Sequence, residues 1–219
     1  MSATTSEHER SIPRIGERAP PFRARTTLGP RALADYAGGW LVLFAHPADF
    51  TPVCTSEFIA FARAEPRFRA IGCQLLGLSV DSLYAHLAWV RAIRERFGVD
   101  IPFPIVEDVS MVIACAYGML HPQAGDTAAV RSTFVIDPDG FVRASLHYPM
   151  TTGRNVAEIL RLVQALQVTD RDVVSTPEAW QPGDPMLEPP PQTVAEAGGP
   201  LADGEDWYYR MRPAGKLGG

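Results

Sequence analysis

One cysteine stands where a helix should begin. Residues His46-Pro47-Ala48-Asp49-Phe50-Thr51-Pro52-Val53-Cys54 follow directly on an apolar run, Trp40–Ala45. Thr51 is a suitable N-cap, and Pro52 suits the first helical position, where a missing N–H costs nothing, so Cys54 falls at the third position of the helix. A capping box has Glu or Gln there, reaching back toward the N-cap residue, and a thiolate at Cys54 would take that carboxylate's place. Unpaired N–H groups and the positive end of the helix dipole favour the anion. A cysteine is more often a small buried hydrophobe. Its position at the carboxyl end of a strand, where open α/β sheets carry their sites, marks Cys54 instead as the candidate nucleophile.

The other chemistry-bearing residues say less. His46 lies close to Cys54 in sequence and invites a Cys–His dyad of the hydrolase kind. The helix start already accounts for an activated sulfur, so His46 is read as a residue that tunes the pocket. Cys73 opens an apolar stretch and Cys115 sits in Met111–Ala116, both typical settings of inert thiols. His8, His86, His121 and His147 show no metal-ligand spacing with one another or with a cysteine, and no metal site is expected.

The elements that must carry Cys54 alternate in type. After Trp40–Ala45 an amphipathic helix runs from Pro52 to about Phe68, with a kink expected near Pro66, and a strand follows over Gln74–Val80. Leu83–Phe97 repeats apolar residues at helical spacing between Asp81-Ser82 and a C-cap at Gly98. Phe103–Val106 reads as a strand and Ser110–Tyr117 as a helix closed by Gly118. Arg131–Ile136 and Phe141–His147 read as a hairpin across Asp137-Pro138-Asp139-Gly140, and Val156–Val168 as the last clear helix. The fold class is α/β, a mixed central sheet flanked by helices. Beyond about residue 169 the composition changes. Eight prolines and seven glycines in the last 50 residues would suggest disorder, but Trp180, Trp207, Tyr208 and Tyr209 are costly to leave in water, so the tail is expected to dock. The predicted domains are 1–169 and a small C-terminal arm, 170–219.

Composition narrows the function. With 219 residues, 46% hydrophobic and 21% charged, the chain can bury one sizeable core plus an appendage. A net charge of −5 without a Lys/Arg cluster gives no support to nucleic acid or an anionic membrane as partner. No apolar run reaches the ~18 residues of a membrane span, and Met1–Arg10 has no hydrophobic signal core. Three cysteines do not suggest a disulfide framework, and cytoplasmic residence is the expectation.

Pro47-x-x-x-Thr51-x-x-Cys54 resembles the peroxiredoxin active-site pattern. The string around it is similar to that of the one-cysteine subfamily, with Ala45 where that subfamily has serine. Further blocks follow in order: Gly77–Ser82, Ile101–Ile105, Arg131–Pro138 and Tyr148–Asn155. The resemblance covers roughly residues 14–212. It implies a thioredoxin-like fold and a thiol-dependent peroxidase that reduces hydrogen peroxide and alkyl hydroperoxides without cofactor or metal. By the same resemblance Cys54 attacks peroxide, Thr51 accepts from the peroxide O–H, Arg131 bonds the thiolate and the peroxide oxygens, and Pro47 shields the sulfur. Glu57, one turn beyond Cys54, would orient an arginine, either Arg131 or Arg154, through a bidentate pair. The arm implies a homodimer with exchanged tails, with larger rings left open.

No cysteine follows Cys115 and no Cys-x-x-Cys occurs, so a Cys54 sulfenic acid is expected to be recycled by an external thiol such as thioredoxin or glutathione. The rival from another class is a non-enzymatic redox sensor or holdase switched by Cys54 oxidation. Vertebrate members carry a Gly-Asp-Ser-Trp string linked to phospholipase activity. Here Ala37-Gly38-Gly39-Trp40 lacks the serine, and no such activity is expected.

Overall fold

The computed structural model describes residues 12–120, 130–201 and 206–214. His8 and His121 lie outside them. The backbone falls into two compact units that divide between Val156 and Ala157.

The first unit is built on five strands in the order β5-β4-β3-β6-β7. They are β3 (Trp40–Ala45), β4 (Cys73–Ser79), β5 (Ile105–Glu107), β6 (Arg131–Ile136) and β7 (Val142–Tyr148). β3, β4 and β5 run parallel, while β6 pairs antiparallel with both β3 and β7. All six residues of β3 are buried, which explains its unbroken apolar run: a central strand covered on both faces has no polar alternation to show. Two short strands, β1 (Arg23–Ala24) and β2 (Arg31–Ala32), form a separate antiparallel pair.

The parallel pairs need crossovers, supplied by α1 (Pro52–Ala70) and α2 (Leu83–Phe97). α1 buries Cys54, Glu57, Phe58, Phe61, Ala62 and Phe68, and Phe61 stacks on Phe44 with ring centroids 4.0 Å apart. Pro66 stands inside the helix, which continues to Ala70. α2 is bounded as local chemistry dictates: the Ser82 side chain accepts from the Ala85 N–H, and Gly98 takes the left-handed conformation at φ 66°. α3 (Val112–Ala116) is shorter than the sequence suggests: the Asp108 carboxylate, ahead of it, accepts from the Ile113 and Ala114 N–H groups, and Met111 stands at its start in the left-handed region. In the hairpin between β6 and β7, Asp137 Oδ1 accepts from the N–H groups of Asp139 and Phe141.

The second unit holds α4 (Val156–Asp172), the antiparallel pair β8 (Met186–Leu187) and β9 (Met211–Arg212), and the short α5 (Val194–Ala197). Ala165 and Val168 of α4 form a small core with Val174, Trp180 and Met186. The compositional change near residue 169 therefore does not coincide with the division at 156/157: the proline-rich tail packs on the last helix and the two make one unit. Trp180 is buried, with its indole N–H donating to the Asp184 carbonyl, whereas Trp207, Tyr208 and Tyr209 are exposed.

Candidate active site

β3 ends at Ala45, and His46–Phe50 carry the chain from its carboxyl end to α1. Thr51 is the N-cap in extended conformation (φ −96°, ψ 150°), with Pro52 first in the helix and Cys54 third. The expected capping box does not form. Phe50 lies in the left-handed region at φ 58°, and the Thr51 hydroxyl turns back to donate to the Ala48 carbonyl at 2.9 Å, so no side-chain cap bond is made. With its proton committed there, the Thr51 oxygen keeps lone pairs for an incoming donor.

Cys54 is fully buried. Its sulfur accepts from Arg131 Nη1 at 3.4 Å. The register Phe44↔Thr133 brings the start of β6 to the carboxyl end of β3, and this places Arg131 beside the first turn of α1. Two further groups fix the guanidinium. Nη1 also donates to Glu57 Oε2 at 2.7 Å, and Nε and Nη2 both donate to the Met150 carbonyl, at 3.0 and 2.7 Å.

Glu57 then holds Arg154. Oε1 accepts from the Arg154 backbone N–H at 2.7 Å and from Nε at 2.9 Å, and Oε2 from Nη2 at 2.8 Å. The Arg154 guanidinium carbon lies 5.4 Å from the ring centroid of Phe44, and its Nη1 donates to the Ser132 carbonyl. Burial alone would raise the Glu57 carboxyl, but Arg154 and then Arg131 outweigh it and hold the group below its ordinary value. Two guanidinium cations facing one carboxylate leave one positive charge, which a thiolate at Cys54 balances.

Four of the residues singled out from sequence, Cys54, Glu57, Arg131 and Arg154, thus form one hydrogen-bonded cluster. Thr51 adjoins it through the helix start, and Pro47 is buried in the same connection. His46 goes elsewhere. Its Nε2 bonds Asp49 Oδ1 at 2.8 Å, and its ring stacks on Trp89 with centroids 5.2 Å apart. Among the described residues the hydrogen bond of Cys54 is with Arg131, so a Cys–His dyad is not formed. Burial pulls the His46 imidazole down against the opposing pull of Asp49, and its Nδ1 has no hydrogen-bond partner among the described residues.

His86 completes this second group, with Nδ1 2.7 Å from Asp49 Oδ2 and Nε2 3.2 Å from the Val106 carbonyl. Sequence spacing does not reveal the grouping, because His86 arrives from α2. One ligand atom from each of His46, Asp49 and His86 lies within 4.8 Å of the others. At 2.7–2.8 Å, however, each imidazole nitrogen sits at direct hydrogen-bond distance from the carboxylate, the spacing of a shared proton. The Met150 carbonyl was also not to be found by residue type, since a backbone acceptor has no side-chain signature; only its place in the Tyr148–Asn155 block points to it.

Cys73 is buried, and burial pushes its thiol up to about 12. A cavity of about 650 Å³ opens against Pro52, Thr55, Ser56 and Ile59 of α1 and Trp89 and Phe97 of α2. These α1 residues form a different stripe from the one that carries Cys54, Glu57, Phe58 and Phe61.

Comparison with known proteins adds three findings. Residues 15–145 match the AhpC/TSA family, and residues 165–199 match the C-terminal domain of 1-Cys peroxiredoxin. The chain is 50% identical over 212 residues to a peroxiredoxin of Aquifex aeolicus, covering 90% of this chain and 96% of that one. It is similar in structure to a yeast mitochondrial 1-Cys peroxiredoxin studied for thiol resolution via glutathione/thioredoxin systems, at a TM-score of 0.82 and 40% identity over 92% of this chain and 100% of the other. A variant of peroxiredoxin 6 of Arenicola marina aligns at a TM-score of 0.81 and 36% identity, covering 93% and 99% of the two chains.

Proposed function

The chain belongs to the AhpC/TSA family as a one-cysteine peroxiredoxin, a thiol-dependent peroxidase, and on that premise we propose how its residues divide the reaction. The observation that carries the assignment is the Arg131 guanidinium, 3.4 Å from Cys54 Sγ and held on its other sides by Glu57 and the Met150 carbonyl.

The Cys54 thiolate attacks the nearer oxygen of hydrogen peroxide or an alkyl hydroperoxide. As the S–O bond forms the O–O bond breaks, and the departing oxygen takes a proton from solvent, so that water or alcohol leaves and Cys54, which keeps the attacked oxygen's proton, is left as the sulfenic acid; the Thr51 oxygen accepts from the peroxide O–H and so orients it. Arg131 donates to sulfur and to the peroxide oxygens while negative charge shifts from one to the other, a donor fixed before the reaction and therefore not reorganised during it. Pro47 keeps water from the sulfur. One external thiol then condenses with the sulfenic acid, releasing water, and a second frees Cys54 as the thiolate. The reductant is thioredoxin, glutathione or a thiol like them, which fits a cytoplasmic, reducing setting. The peroxidase chemistry lies within the first unit, and residues 170–219 form the dimerisation arm of a homodimer, a reading supported by exposed Trp207, Tyr208 and Tyr209.

Stopped-flow oxidation of the pre-reduced protein by hydrogen peroxide, followed by tryptophan fluorescence, tests this. Wild type is expected to react far faster than free cysteine and Cys54→Ser not at all, with many turnovers once thiol is added. A wild type that oxidises once and stops in the presence of thiol would move the reading to a redox sensor.

A further inference from the structure

The connection that delivers Thr51 to the site contains a residue in an uncommon backbone conformation. Phe50 is bulky and exposed, yet lies at φ 58°. A non-glycine residue stays there only when its surroundings over-determine it. An exposed side chain cannot hold its own backbone, so the restraint comes from the neighbours.

The residue before it supplies that restraint. Asp49 is buried and accepts from two histidines on separate elements, His46 at the end of β3 and His86 in α2. His86 is itself tied to β5 through the Val106 carbonyl, and the Asp49 N–H donates to Asp81 Oδ2 at 3.0 Å. Burial would raise the Asp49 carboxyl, but the hydrogen bonds from His46 and His86 outweigh it and keep the group ionised. The two ring nitrogens of His86 lie against Asp49 Oδ2 and the Val106 carbonyl, and His46 meets Asp49 through Nε2. The carboxylate can accept from both imidazoles, one on each oxygen, whereas an amide of the same shape offers one acceptor oxygen and an NH2 that must donate.

Neither Asp49 nor His86 bonds Cys54 or Arg131 among the described residues, so this buried ionic group has no part in the bond changes. We propose that Asp49 is a positioning residue for peroxide reduction: clamped between His46 and His86, it pins Phe50 in the left-handed region and so sets the Thr51 hydroxyl where peroxide must lie beside Cys54. The inference rests on the peroxidase reading above.

Two rates measured on the same pre-reduced, full-length samples test it: oxidation by hydrogen peroxide in stopped flow, and alkylation of Cys54 by iodoacetamide, read by mass spectrometry. Alkylation needs the sulfur but not Thr51. Asp49→Asn is expected to slow peroxide oxidation by roughly 10- to 100-fold, the scale of a small misplacement of a reacting partner, while alkylation stays within about threefold. Adding Phe50→Gly should recover at least about tenfold of the loss, because glycine takes that φ without the clamp. His86→Gln, which leaves Asp49 one histidine, should show the same selective loss to a smaller degree and serves if Asp49→Asn does not fold. Equal losses in both rates, an unchanged peroxide rate in Asp49→Asn, or no recovery with Phe50→Gly would overturn the proposal while a fast wild type leaves the peroxidase reading standing. A wild type no faster than free cysteine would overturn both.

Discussion

Replacing Glu57 with glutamine removes the one negative charge that lies between two buried guanidiniums. Its carboxylate accepts four hydrogen bonds, two on each oxygen: the Arg154 backbone N–H and Nε on Oε1, Arg131 Nη1 and Arg154 Nη2 on Oε2. A glutamine oxygen in the Oε1 place keeps the first two. Its NH2 then meets the remaining pair donor to donor, and Arg131 is left with the Cys54 sulfur as its partner on α1. Hydrogen bonds to charged groups contribute about 1.5–3 kcal/mol each, so losing two costs roughly 3–6 kcal/mol, in line with the ~3–5 kcal/mol for leaving one partner of a buried ion pair alone. Side-chain exposures of 2% for Glu57 and Arg131 and 0% for Arg154 leave water little chance to compensate. Against a total stability of about 5–15 kcal/mol this is a large fraction, and with an m-value near the top of the ~1–3 kcal/mol/M range the urea midpoint should fall by roughly 1–2 M. Arg131 retains its two bonds to the Met150 carbonyl but loses the third point that fixes it, and the peroxide rate of the folded fraction should fall by about 10²-fold, as when one oxyanion donor is lost. A midpoint within about 0.3 M of wild type together with a rate within twofold would refute the claim that Glu57 both balances and aims the cluster.

Acid should destabilise the fold through the same carboxylate. The Glu57 group is held below its unfolded value of 4.5, so its contribution is complete above that value and is lost as pH falls through the folded one; thermal melts from pH 6 to 3 should show a shallower pH dependence in Glu57→Gln than in wild type, and parallel curves would contradict this. After one equivalent of peroxide, mass spectrometry should find Cys54 as sulfenic acid or its trapped adduct, and a Cys54–Cys73 or Cys54–Cys115 disulfide would sink the external-thiol cycle. Deleting residues 170–219 strips Val174, Trp180 and Met186 from Ala165 and Val168 of α4, and should convert a dimer to monomer by light scattering; a truncated chain that stays dimeric would remove the arm from the interface.

Where local chemistry decides, the sequence was easy to read. Ser82 and Gly98 bound α2 because caps act within three or four residues, and Pro52 opens α1 at the first helical position. The strand Ile105–Glu107 lies later than its apolar pattern suggests because pairing with Gly77–Ser79, a tertiary fact, sets its limits. The site divides along the same line. Cys54 follows from position alone. Arg131 looks like an ordinary edge residue until the register of β6 on β3 is known, so only resemblance could pick it out. The Thr51 capping box fails for a reason that residue types do not carry, the left-handed backbone of Phe50, and the partners that hold that backbone come from α2 and β5.

Thiol profiling of the native protein would rank its cysteines in the wrong order. Reagents that equate labelling with importance would find Cys115, the one partly exposed thiol of the three, and pass over Cys54, whose sulfur is enclosed between α1 and Arg131. A bulky maleimide footprint would then point to Cys115, which lies outside the hydrogen-bonded cluster of Cys54, Arg131, Glu57 and Arg154. Probes for such a site have to be small, or specific to the oxidised sulfur with peroxide added first, because Cys54 is enclosed where Cys115 is not.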